Sequence, residues 1–525
     1  MATTLSNSKS WQAPFFGKSS IYVGGQDPLG LQATSVAAFS RLLPGITTQT
    51  NRVRYWSFYC WIIHLFSRRI HKTGYERFVD FIRRCEFTLA VATELTAPNE
   101  TAIFGRDAAK LAAKDLPLDL KKYADNKVQG IFRYYKKELG GFDLYHAVMT
   151  KLGLLIKNDY GIFVCTDKSQ NPKFTENLCV SGYELAKAFQ DAIGNETEER
   201  FCDSIIQGFV TSEDLIDFGE RMNFSAIQPE TREWYLIKDI FTGGDNPGLR
   251  TKEFDTSYRL NTTRLFLDFC HLKKDTSEFP FWLEERNGLD TNDLYSDTSF
   301  GWFYYAINEH WHYANELIFY ALLEKLRLND FTELEVFIKK FSEEILISSI
   351  SEEWAQKKFT PLNWLSFVSI EPANQFPEAD AARGFKSILE LFKIYSDRTN
   401  QFIQFGQRPD IDIQRRGDFG NGLRLIGTQI HLPFKDFIEW YLFRQIINRH
   451  SFVAMEKLAK EGKNTLTFKI EDQTLCFVNN ISVRYKNPKL NQLSQFLRDL
   501  KVLDHENFPT ENAITFLKPE KLSHS

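Results

Sequence analysis

The run FGWFYYAINEHWHYANELIFYALLEKL, residues 300–326, is the strongest helix signal in the chain: it is long and has few breakers. A second run, NRVRYWSFYCWIIHLFSRR at 51–69, is apolar nearly all round. A helix without a polar face has to be buried, so further helices must pack around it. The aromatic content, 15% with 47 Phe, supplies bulky core residues, and Gly 28 with Pro 17 leaves little material for a loop-rich fold. The expected fold class is therefore mainly α, a multi-domain helical protein with two small β features. No apolar run approaches the length of a membrane span, so no membrane is expected. The first residues, MATTLSNSKSWQ, hold no apolar core of a secretory signal.

Four consecutive segments are expected. Residues 1–115 form an N-terminal helical region, with irregular chain over 1–48 and helices across 51–69 and 75–95. Residues 116–195 form a winged-helix-like α+β unit. Here a polar helix at 119–139 is expected, then a short helix, a strand, the turn Asn158-Asp159-Tyr160-Gly161, a second strand and a final helix. The competing reading is a small α+β insert whose hairpin only caps a helical core. Residues 196–400 read as a helical body. Residues 401–525 change character, with a glycine-rich stretch, a helix at 434–460, and TLTFKIEDQTLCFV, whose alternation predicts a C-terminal β-hairpin turning near Glu471-Asp472.

Charge and cysteine usage narrow the functional classes. Lys+Arg 64 against Asp+Glu 68 gives a net charge of −4, which excludes a global basic field. Seven cysteines, with no C-x-x-C, read as free thiols of a cytoplasmic protein. No Walker loop, nucleophile elbow, H-E-x-x-H or dinucleotide fingerprint is present, and no cofactor is expected.

Local chemistry concentrates in four places. Residues 52–84 carry Arg52, Arg54, Arg68, Arg69, Arg83 and Arg84 among Tyr55, Trp56, Tyr59 and Trp61, a mixture suited to phosphate and base contacts. Two core helices with solvated arginine rims are the other reading. Lys136 and Lys137, with Arg133, Lys151 and Lys157, add cations beside the expected wing. The stretch Arg415-Arg416-Gly417-Asp418-Phe419-Gly420-Asn421-Gly422-Leu423-Arg424 offers backbone N–H groups and arginines to an anion; a surface loop is the alternative. Glu309, His312 and Glu316 share one helix face, whereas His310 points about 200° away from His312, and no second E-x-x-H completes a metal pair.

Two resemblances bear on function. Arg444-Gln445-Ile446-Ile447-Asn448-Arg449-His450 resembles the Arg–His helix of HEPN-type ribonucleases, which implies general acid–base and electrostatic roles for His450 and Arg444 in RNA cleavage. The same gap recurs at Arg264 and His271, Arg424 and His431, and Arg498 and His505. The second resemblance rests on Asp27-Pro28-Leu29-Gly30-Leu31, Leu43-Pro44-Gly45-Ile46-Thr47 and the run Asn51-Arg52-Val53-Arg54-Tyr55-Trp56-Ser57-Phe58-Tyr59. It is similar to the opening of a family of large, uncharacterised bacterial proteins that accompany anti-phage defence operons. That resemblance implies a component of a multi-protein system, with partners from the same operon and DNA or RNA as a further partner. It assigns no catalytic residue. The ribonuclease effector is the alternative.

Overall fold

The structure is a computed structural model that describes residues 27–70, 74–169, 180–243, 256–287, 296–329, 331–346, 378–407, 417–486 and 488–517. Among these, helix accounts for 66% and strand for 6%, so the chain is mainly α. It packs as two compact units, each discontinuous in sequence: residues 1–39 with 280–488, and residues 40–279 with 489–525. These units cut across the four consecutive segments read from the sequence.

In the unit of 40–279 and 489–525, the all-round apolar run becomes the Tyr55–Arg69 helix, with Tyr55 through Ile63, Leu65 and Phe66 buried. It packs against the Gly182–Ile193 helix, while Tyr75–Thr96 packs along Ser212–Met222. Gly182–Ile193 starts on a capping box, with the Ser181 hydroxyl accepting from the Glu184 N–H and the Glu184 carboxylate accepting from the Ser181 N–H. The hairpin is present: Phe142–Lys151 leads into Leu155–Lys157, which pairs antiparallel with Phe163–Cys165.

The polar helix expected at 119–139 does not form. A one-turn helix, Leu120–Tyr123, and a 3-10 turn, Gly130–Phe132, replace it. Two arginines account for the difference, because they satisfy carbonyls that helix N–H groups would otherwise have taken. Arg83 donates to the carbonyls of Ala124, Tyr135, Lys137 and Glu138. Arg133 donates to those of Asn126, Val128, Tyr135 and Lys136.

In the unit of 1–39 and 280–488, the long run lies within the Ser296–Asn329 helix, about 50 Å long. It is buried almost without interruption from Trp302 to Leu323 and packs along the Ala381–Tyr395 helix. The C-terminal hairpin forms as Phe468–Glu471 and Thr474–Phe477, turning at Asp472-Gln473, both with positive φ. A third strand, Phe331–Glu333, extends it, within the stretch read from the sequence as a helical body. The helix Gln32–Leu42 also arises where irregular chain was expected. The Asp27 carboxylate starts it, accepting the N–H groups of Leu31 and Gln32 at 2.7 and 3.0 Å. Six described cysteines are free; Cys179 lies outside the described residues. No described helix is long and apolar enough to cross a membrane.

Candidate functional site

The helix that the sequence placed at 434–460 is built in three parts. Phe434–Tyr441 and Asn448–Glu461 are α-helical, and Leu442–Ile447 between them is a π turn. Such turns recur at functional sites because the extra residue re-aims the side chains around it. Beyond it, Asn448, Phe452, Glu456 and Lys460 follow at intervals of four, each about 40° round from the last, so the row winds across the helix surface. With Arg444 they form one wall of a groove of about 870 Å³. Asn421, Arg424 and Leu425 of the Phe419–Gln429 helix line it from the other side, and Gly30, Arg449 and Lys457 also border it. Thus Arg424 and Arg444, noted in the sequence for separate reasons, stand in one groove.

The groove is cationic and carries one apolar platform. Arg444 is exposed and makes no ion pair among the described residues. Arg424 is exposed and donates to the Asn421 amide oxygen at 2.9 Å. Lys460 pairs with Glu456 at 2.6 Å on the solvent side. Phe452 is 70% exposed, well beyond what a packing role requires.

At the edge of the groove, where Gly30 lines it, the Asp27–Leu31 segment is bound to the same helix. Arg449 donates to the Leu29 carbonyl at 2.5 Å and Lys457 to the Asp27 carbonyl at 2.6 Å. Gly30 has φ +65°, and a Cβ there would stand 3.0 Å from Val453, so the tight approach needs glycine. The stretch after Arg416 is not a loop. Asp418 caps the Phe419–Gln429 helix, and Gly422 lets that helix lie on the Trp311 ring. Its glycines therefore serve packing rather than anion contact. Arg415 and Arg416 lie outside the described residues.

His450 is a structural residue. It is fully buried between the rings of Phe319 and Phe468. Its Nδ1 lies 3.0 Å from the Pro28 carbonyl, and its Nε2 accepts the Thr467 N–H at 3.0 Å. A carbonyl only accepts and a backbone N–H only donates, so the proton sits on Nδ1 and the ring is neutral. Neither nitrogen is left to exchange a proton with a substrate in the groove. This corrects the acid–base role inferred for His450 beside Arg444. Burial pushes its pKa down to about 4. Stability from the neutral ring is then complete above about pH 6.5 and is lost as pH falls through 4, by about 3 kcal/mol in all. Hydrogen-exchange protection factors of the Asn448–Glu461 helix should fall between pH 6 and 4, and the fall should be blunted in His450→Gln. Parallel profiles for the two proteins would show that the histidine is not held neutral.

The other predicted contact residues are mostly engaged in structure. Arg52 pairs with Asp499 and Glu100, and Arg54 with Glu233, all but Glu100 nearly fully buried. Arg83 is buried on backbone carbonyls, as described, and is not a surface cation. Arg84 grips Asp125 with two bonds of 2.6 and 2.8 Å. Arg68 pairs with the buried Glu198, which also accepts the Trp61 indole N–H at 2.8 Å. Arg69 lies 3.7 Å from Glu199 at the surface. Lys136 and Lys137 are exposed.

The Glu309, His312 and Glu316 face predicted on the long helix is present and fully buried. His312 lies 3.0 Å from Glu316 and 3.7 Å from Glu309. The Gln32 amide donates to Glu316 at 3.0 Å, and the Lys486 N–H donates to Glu309 at 2.5 Å. Burial pulls the His312 pKa down, but the two carboxylates outweigh it and hold it at about 9. His310 instead packs against Phe281. Among the described residues, no three His, Cys, Asp or Glu side chains are arranged to hold a metal ion.

No protein-family model, no curated protein and no solved structure matches the chain.

Proposed function

We propose that this chain is a non-catalytic component of a bacterial multi-protein anti-phage defence system that binds partner proteins and contacts nucleic acid. The observation that carries the nucleic-acid contact is the groove in which Arg424, Arg444 and Lys460 surround the exposed Phe452. Arginine forks suit phosphate oxygens, and a cationic groove retains affinity on a chain whose net charge is −4. The defence setting and the operon partners are supported by the likeness of residues 27–59 described above. The helix, hairpin and helix across 142–193 are read as winged-helix-like, with exposed Lys136, Lys137, Lys151 and Lys157 as a second set of contacts. The ribonuclease reading draws no support from a histidine whose two ring nitrogens are both occupied.

Fluorescence anisotropy with labelled DNA and RNA tests the proposal. If three groove cations each displace a counterion, affinity should fall about 20- to 40-fold between about 50 and 200 mM salt. Arg424→Ala with Arg444→Ala should flatten that dependence. Absence of binding at the lower salt would remove nucleic acid from the function and leave partner proteins, sought by copurification.

A further inference from the structure

Resting on the reading of the groove as a nucleic-acid site, we infer that it takes a single strand, with a base stacked on Phe452 and phosphates on Arg444 and Lys460. An exposed phenylalanine has no use for the outside of a duplex, whose bases are already stacked on one another. It offers a π-face to an unstacked base, and this preference is tolerant of sequence.

The spacing agrees. Phe452 lies eight residues from Arg444 and eight from Lys460, which on helical rise is about 12 Å in each direction. One nucleotide spans roughly half that distance when a strand is extended, so a strand of about four nucleotides covers the face. Asn448, one turn before Phe452, offers a polar amide to a base edge, whereas the Asn421 amide on the facing helix is held by Asp418 and Arg424. The two carboxylates that line the groove, Glu456 and Glu461, do not close the site, and Glu461 pairs with Lys463 at 2.8 Å. Glu456 is already neutralised by Lys460, and that pair is on the solvent side, where a phosphate can replace the carboxylate at little cost.

The test is anisotropy with a labelled oligothymidylate, the matching oligouridylate and a duplex of the same length, at about 50 mM salt. The single strands should bind more tightly than the duplex. Phe452→Ala should weaken single-strand binding about 5- to 150-fold, while the slope of affinity against salt stays that of the parent. Phe452→Trp should restore or exceed the parental affinity, and at 70% exposure neither change threatens the fold. Arg444→Ala should instead reduce the salt slope by about 0.7. Equal or tighter duplex binding, untouched by Phe452→Ala, would overturn the single-strand inference and leave nucleic-acid binding standing. No binding of either form would remove both.

Discussion

Arg52→Ala should lower the unfolding free energy of the unit that contains it by about 3–5 kcal/mol. The Arg52 guanidinium holds Asp499 through Nε at 3.1 Å and Nη2 at 3.0 Å, reaches Glu100 through Nη1, and donates to the Thr101 carbonyl at 3.1 Å. Asp499 is 2% exposed, and its other ligands are the Val53 N–H and the Gln495 amide. Removing the cation leaves a carboxylate buried with neutral donors only. Burial already raises the Asp499 pKa and the arginine opposes it, so the variant should take up a proton there and lose most stability at high pH. Chemical denaturation at pH 5 and pH 8 measures both effects. Arg52→Met combined with Asp499→Leu should recover part of the loss, because two apolar groups need no partner. A change below about 1 kcal/mol in the single variant would mean that water screens the pair.

The second large effect is on pH. His312 has a folded pKa of about 9, above its ordinary 6.5. The stability it contributes is therefore complete below pH 6.5 and is lost as pH rises through 9, by about 3 kcal/mol. Other groups titrate in that range, so the diagnostic quantity is the difference between the parent and His312→Gln. Amide exchange along the Ser296–Asn329 helix should speed up in the parent between pH 6 and 10. In His312→Gln it should already be fast at pH 6 and change less. Superimposable profiles would show that the imidazole is not the shared cation of Glu309 and Glu316.

These two sites also show what a sequence can reveal. Glu309, His312 and Glu316 were legible as one face because helical spacing is local. The apolar run at 55–66 and the alternation at 468–477 were legible for the same reason: one period, one element. Arg52 and Arg54 were not. They looked like part of a basic surface, because their partners lie 447 and 179 residues away in the chain. The failed helix at 119–139 has the same cause, since Arg83 reaches it from another helix. The groove was half visible. Arg424 and Arg444 each stood out, but only the fold brings them together, and nothing local distinguished Phe452 from the many buried phenylalanines. His450 was misread because its Pro28 partner lies 422 residues away in the chain and its Thr467 partner lies beyond the end of its own helix.

The discontinuity of the two units has a consequence for biosynthesis. A ribosome adding about 5–20 residues per second needs roughly 20–90 s to travel from Arg52 to Asp499. During that interval the Tyr55–Arg69 helix, apolar on every side, waits without its last covering segment. The Asp27–Leu31 segment waits nearly as long for the helix that carries Arg449, His450 and Lys457. Neither core can be sealed while its chain is still being made. Nascent chains of this protein therefore offer sticky surface to their surroundings for most of their synthesis, and their yield should depend on holding chaperones more than that of a chain whose domains close in order.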